Sequence, residues 1–171
     1  MRHIDAMSNV RRFDPEGRPV FITQVCRDRA PMLRGLEALV LSVMHELRRE
    51  SGYRVYAHVI LPDHMHLLVG GGHGFSRFMQ SLKLRVVRRA GRGRFWQDRF
   101  LDHVIRDEVD LRNHLDYLHY NPVRHRYAAT PEEHPFSSFR RYQARGWYMP
   151  RWGHSAPDNI DAIDMDWAST R

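Results

Sequence analysis

Residues 53–70 read YRVYAHVILPDHMHLLVG, and this stretch decides the fold. A β-branched and aromatic run fills 53–61, Pro62-Asp63 interrupts it, and an apolar run resumes over 64–70. Two strands joined by a tight turn leave this pattern. Upstream, PVFITQVC at 19–26 is a third such run, read as the first strand. Between them, residues 32–50 place Leu33, Leu36, Val40, Val43, Met44 and Leu47 at helical spacing, with Ser51-Gly52 as the stop. Downstream, glycines 70–72 and 74 open a loop. Ser76 can then cap a second helix over 76–90, with Phe75, Phe78, Met79, Leu82 and Val86 on its apolar face and Gly91 and Gly93 behind it. RFLDHVIR at 99–106 predicts a fourth strand. Asp107 can cap a third helix, expected to end at Asn121 because Pro122 disfavours α geometry in the residue before it.

The order β-α-β-β-α-β-α is the split βαβ of a ferredoxin-like sheet with one more helix, an α+β fold. Residues 123–171 carry prolines and aromatics without a period and read as irregular. The expectation is one domain over 1–154 followed by an acidic, flexible tail over 155–171.

Composition agrees with a globular chain. Of 171 residues, 42 % are apolar and 27 % charged, enough for one core and a soluble surface. One cysteine, Cys26, excludes a disulfide framework and a four-thiolate zinc site. No apolar run approaches the ~20 residues that cross a bilayer. The N-terminal MRHIDAMSNVRRF has no apolar core of a secretory signal. No membrane is implied, and a cytoplasmic location is expected.

Charge gives the first functional clue. The chain carries +7, but residues 1–154 hold 26 basic and 16 acidic side chains, or +10, while four acids (Asp158, Asp161, Asp164, Asp166) follow. No acid lies between Asp63 and Asp98, where Arg77, Lys83, Arg85, Arg88, Arg89, Arg92 and Arg94 fall. A one-signed field of this kind points to a polyanion such as nucleic acid. Genomic bias explains why all bases but Lys83 are arginine; it does not explain the missing acids.

His64-Met65-His66 is the sharpest local feature. On a strand, residues i and i+2 share a face, so both imidazoles project together and form two adjacent corners of a divalent-metal site. Among twelve histidines such a pair also arises by chance, so a third ligand and a reactive group are needed. The third helix offers both. Tyr117 and Asn121 are one turn apart on one face. The amide oxygen is a hard ligand for Mg²⁺ or Mn²⁺, and a phenol becomes a nucleophile when its phenolate is stabilised. On these residues alone Tyr120 competes with Tyr117, and Asn121 is equally a helix cap.

HVILPDHMHLLV followed by DYLHYNPVRH resembles the single-tyrosine HUH transposases, and within them the REP-associated tyrosine transposases of the IS200-like superfamily. The resemblance runs through GRPVFIT, FWQDRFLDHVIR, NPVRH and HPFSSFRRYQARGWY, nearly the whole chain. It implies that His64, His66 and Asn121 are metal ligands for Mg²⁺ or Mn²⁺, that Tyr117 rather than Tyr120 is the nucleophile, and that Lys83 contacts DNA. It implies a ferredoxin-like sheet with the HUH pair on a central strand. It also implies a bacterial, nucleoid-associated protein, monomeric rather than dimeric. His125-Arg126-Tyr127-Ala128 departs from the Gly-Leu-Val that many relatives carry there, which is expected to alter tail packing and not the active site.

The implied activity is nicking and joining of single-stranded or hairpin DNA, at REP-like elements, through a 5′-phosphotyrosine. Arg85, Arg88, Arg89, Arg92 and Arg94 are candidates for phosphate contacts, and Phe95 and Trp96 for base stacking. A non-catalytic hairpin-binding protein is the alternative. A plasmid-mobilisation initiator would bring further domains, and a zinc hydrolase would want a glutamate base beside the histidines.

Overall fold

The computed structural model describes residues 17–70 and 74–163. The N-terminal segment MRHIDAMSNVRRF, glycines 71–72 and the tail acids Asp164 and Asp166 lie outside the described residues. The chain runs β1 (Val20–Val25), α1 (Glu37–Ser51), β2 (Val55–Ile60), β3 (His64–Val69), α2 (Phe75–Ala90), β4 (Leu101–Val104), α3 (Glu108–Arg124) and a short α4 (Phe139–Ala144). The sheet order is β2-β3-β1-β4 with every neighbouring pair antiparallel, the ferredoxin-like arrangement. Among the described residues no helix is long and apolar enough to cross a membrane.

β1 and β3 are central and wholly buried, because both sheet faces are covered. Strand alternation sends Val20, Ile22, Met65, Leu67 and Val69 into a core under α1 and α2. Phe21 and Leu68 enter a second core under α3 and the C-terminal segment. His64 and His66 project into this second layer, paired in register with Val25 and Thr23 of β1.

Several boundaries differ from the sequence-based expectation, each for a local reason. The helix expected from residue 32 begins at Glu37, because Gly35 takes φ +78° and breaks the helical path, although Leu33 and Leu36 still pack in the core. Helix α2 starts at Phe75, with no side-chain cap from Ser76. Asp107 caps α3 as expected, its carboxylate accepting the Asp110 N–H at 2.8 Å. Pro122, however, does not stop α3 at Asn121: the helix continues to Arg124. Proline deletes one bond there, and the last turn still closes through His125 N–H to the Asn121 carbonyl at 3.0 Å.

The stretch after Arg124 is not irregular throughout. Its chain returns to the sheet at a bridge between Val59 and Ser137, and Phe139, Tyr142, Trp147 and Tyr148 bury against α3 and β2. His119 is the polar hub of this layer, with Nδ1 2.8 Å from the Tyr148 hydroxyl and Nε2 2.8 Å from the Ser138 hydroxyl. Packing runs past His154: Ile160 and Ile163 are buried in the same core, and the Asn159 amide donates to Asp116 at 2.9 Å.

Candidate functional site

The turn at Pro62-Asp63 starts β3 at His64, and α3 crosses above it. Asp110, His114, Tyr117 and Asn121, spaced four, three and four residues apart, form one helix stripe, and all are buried. The lower end of that stripe meets the histidine pair. Asn121 Oδ1 lies 3.0 Å from His64 Nε2, and the Tyr117 ring sits edge-on to His66 with centroids 5.3 Å apart. His64 and His66 are themselves 4.9 Å apart. The structure thus brings together the four residues singled out on the strand and the helix. Tyr120 turns away and packs against Trp152.

Hydrogen bonding sets the direction of the lone pairs. His64 Nδ1 is 2.6 Å from Asp63 Oδ1, and a carboxylate only accepts, so Nδ1 carries the proton. That leaves Nε2 a lone pair facing the amide oxygen of Asn121. Two acceptors at 3.0 Å repel unless a proton or a metal ion lies between them, or the amide is rotated. His66 Nδ1 pairs with the Thr23 hydroxyl at 2.8 Å, while its Nε2 is buried with no partner, as is Asn121 Nδ2. Two imidazole nitrogens and an amide oxygen, left under-satisfied in one buried spot, fit a divalent ion such as Mg²⁺ or Mn²⁺.

Burial pushes the Tyr117 hydroxyl above its ordinary pKa, opposed first by the Arg124 charge and then by the neighbouring Asn121 amide. Arg124, two turns on along α3, places its guanidinium 5.5 Å from the Tyr117 ring centroid. His66 is driven well below its usual pKa by burial first, then by His64 and His125, so it stands neutral and able to ligate. His125 falls to about 4 for the same first reason, and its ring lies 5.0 Å from that of His64. The departure at 125–128 therefore does reach the site, contrary to the expectation that it alters only tail packing.

Sequence reasoning missed Asp63, Thr23, Arg29 and Arg124. Asp63 precedes a histidine, but its role depends on the turn aiming its carboxylate at Nδ1, and Arg29 closes on its other oxygen at 3.0 Å. Burial pushes the Asp63 carboxyl up; the His64 hydrogen bond and charge and the Arg29 charge outweigh it, and its pKa ends below the usual value.

At the upper end of the stripe, His103, Asp110 and His114 bring ligand atoms within 4.8 Å of one another. Burial pushes Asp110 up, and hydrogen bonds from His103 and Arg106 more than offset this, bringing it to about 2.

The expected DNA-binding residues are distributed differently. Helix α2 covers the sheet face opposite the histidines. Arg85 and Arg89 make bidentate pairs with Glu50 and Glu46 at 2.6–2.8 Å. Arg92 reaches the Met32 and Arg34 carbonyls, Arg94 pairs with Asp98, and Arg88 is exposed. Lys83 donates to the Gln97 and Asp98 carbonyls and, with Arg94 and Trp96, lines a cavity of about 490 Å³. Phe95 and Trp96 are each 4 % exposed and belong to the core, so these rings do not offer the open stacking platform expected of them.

No family model matches the chain. It is 33 % identical over 156 residues to the REP-associated tyrosine transposase of Escherichia coli K12, covering 89 % of this chain and 94 % of that protein. A Haemophilus influenzae protein named for the same family is 32 % identical over 171 residues, covering 86 % of this chain and 94 % of the relative. Among solved structures, a REP-associated tyrosine transposase bound to a REP hairpin superposes with a TM-score of 0.76 at 31 % identity, over 86 % of this chain and 92 % of that one. Fold and likeness together define the class as transposase. The chain belongs to the REP-associated tyrosine transposase family.

Proposed function

We propose that this protein nicks and rejoins single-stranded DNA at REP-type hairpins, with Tyr117 as nucleophile and a divalent ion held by His64, His66 and Asn121. The observation that carries this reading is the convergence of His64 Nε2, the unpartnered His66 Nε2 and Asn121 Oδ1 beside Tyr117. The solved relative bound to a REP hairpin suggests the substrate class.

Tyr117 attacks the scissile phosphorus, its oxygen forming a P–O bond as the bond to O3′ breaks. The phenolic proton leaves to solvent or the departing O3′, giving a 5′-phosphotyrosine and a free 3′-OH. Joining is the reverse, with the 3′-OH of another strand displacing the tyrosine, so no external energy source is needed. Arg124 offsets the negative charge on the phenolate. When bound, Mg²⁺ or Mn²⁺ supplies charge neutralisation at the phosphate, undiminished because its ligands here are neutral. Asp63 and Thr23 hold the two imidazoles in the orientation that leaves each Nε2 facing the site. Exposed Arg88 supplies a phosphate contact for DNA that extends past the site to the α2 face, and Lys83, Arg85, Arg89, Arg92 and Arg94 add to it where DNA displaces their partners in the protein.

The alternative, a hairpin-binding protein without chemistry, is favoured by one observation: Tyr117 is only 4 % exposed, so substrate must displace its cover. Incubation with an end-labelled REP-type hairpin and Mn²⁺, followed by a denaturing gel, separates the two. A covalent adduct is expected, and its absence with wild type, under conditions where the hairpin binds, overturns the enzyme reading.

A further inference from the structure

Helix α3 carries polar side chains at both ends of its buried stripe, and the proposed reaction uses only Tyr117, Asn121 and the histidines below them. At the other end, His103 of β4 places Nε2 2.8 Å from Asp110 Oδ2, and His114 places Nδ1 3.1 Å from Asp110 Oδ1. Tetrahedral or octahedral ligands bound at about 2.0–2.1 Å stand roughly 2.8–3.4 Å apart, a range that both separations to Asp110 share. One ligand atom from each residue lies within 4.8 Å of the others, and the His103 and His114 rings stack at 15° with centroids 4.4 Å apart, so holding one ion requires the half-exposed His103 ring to turn toward Asp110. The ring of Phe21 separates this cluster from the lower site, 4.8 Å from His114 on one side and 5.4 Å from His66 on the other. The His103 side chain is 34 % exposed, which gives an ion a route in from the sheet edge.

We propose that His103, Asp110 and His114 form a second divalent-metal site, distinct from the one beside Tyr117, that clamps the first turns of the nucleophile helix to edge strand β4. Two imidazoles and one carboxylate select a borderline ion such as Zn²⁺ over Mg²⁺. Without the ion, His114 Nδ1 donates to the Asp110 carbonyl at 2.8 Å, and His103 Nε2–H donates to the carboxylate. Binding moves each proton to the other ring nitrogen, exposing the lone pairs without net proton release from neutral rings. The Arg106 side chain, which touches Oδ2 at 3.3 Å, is 71 % exposed and can swing into solvent, while the Arg106 backbone N–H stays on Oδ2 at 2.8 Å and leaves Oδ1 as the oxygen free to ligate. The clamp's two helix ligands, Asp110 and His114, sit seven and three residues before Tyr117, roughly 10 and 5 Å along the helix axis. It therefore supports the nucleophile without touching the reacting atoms.

The test is Zn²⁺ stoichiometry of the full chain, measured by competition with a chromophoric chelator in wild type, His103→Gln and His64→Ala. Wild type is expected to bind two equivalents, and His103→Gln one. Melting in EDTA verifies that His103→Gln folds, and added Zn²⁺ should raise the melting temperature of wild type more than that of the variant. Unchanged stoichiometry and affinity in His103→Gln overturn the proposal. A loss in His103→Gln with no loss in His64→Ala keeps this site and removes the metal from the proposed reaction. Should wild type bind a single equivalent, its disappearance in His103→Gln supports the clamp and its retention there refutes it.

Discussion

Replacing Asp63 by asparagine isolates the part of the site that no ligand list contains. The carboxylate holds His64 Nδ1–H at 2.6 Å with both side chains nearly buried, 11 % and 3 % exposed, and takes Arg29 on its other oxygen. A hydrogen bond to a charged group contributes about 1.5–3 kcal/mol and a neutral one about 0.5–1.5, so Asp63→Asn removes roughly 1–1.5 kcal/mol of orientation from His64. The amide can also present its NH₂ to Nδ1, which moves the ring proton to Nε2 and points it at the ion's place. Loss of such an outer partner costs about 10–100-fold in metal affinity, or roughly 1.4–2.7 kcal/mol. The half-saturating Mn²⁺ concentration for hairpin cleavage should therefore rise 10–100-fold. Cleavage at saturating Mn²⁺ should stay within a few-fold of wild type, and hairpin binding in chelator should not change. A Mn²⁺ dependence identical to wild type would show that the Asp63–His64 pair does not orient a metal ligand.

Tyr117→Phe keeps the buried ring, so folding and hairpin binding should survive while the covalent adduct disappears on a denaturing gel; Tyr120→Phe should retain the adduct, since Tyr120 packs against Trp152. The opposite pattern would place the nucleophile on the wrong helix face. His64→Ala, or EDTA with wild type, should abolish cleavage while hairpin affinity changes only a few-fold, because phosphate contacts dominate binding. Full cleavage in EDTA refutes the metal assignment. Arg88→Ala should lower the slope of log affinity against log salt by about 1, whereas Arg85→Ala, already paired with Glu50, should lower it less. Equal slopes would show that the Glu50 pair opens when DNA binds. Asp107→Ala should destabilise the protein by about 1 kcal/mol through loss of the α3 cap, a drop of roughly 2–4 °C in melting temperature. An unchanged melting curve would mean that tertiary packing alone holds that end.

What sequence determined by itself is what depends on near neighbours along the chain. Alternation put His64 and His66 on one face and Met65 on the other, helical spacing aligned Tyr117 with Asn121, and Asp107 marked the start of α3, because each relation spans four residues or fewer. Element order then left few ways to build the sheet. Tertiary structure decided everything that depends on which surfaces meet. It brought Asn121 to His64 across 57 positions and set the Asp63 carboxylate on Nδ1. It matched Arg85 and Arg89 to acids of α1, which a charge count along the chain cannot reveal. It buried Phe95 and Trp96, because residues 95–97 continue beside the end of β1, with Trp96 bridged to Cys26 and Gln97 N–H on the Val25 carbonyl. The aperiodic C-terminal segment folds for the same reason: its order comes from apolar rings burying against α3 and β2, a driving force proportional to buried area that leaves no regular spacing in the sequence.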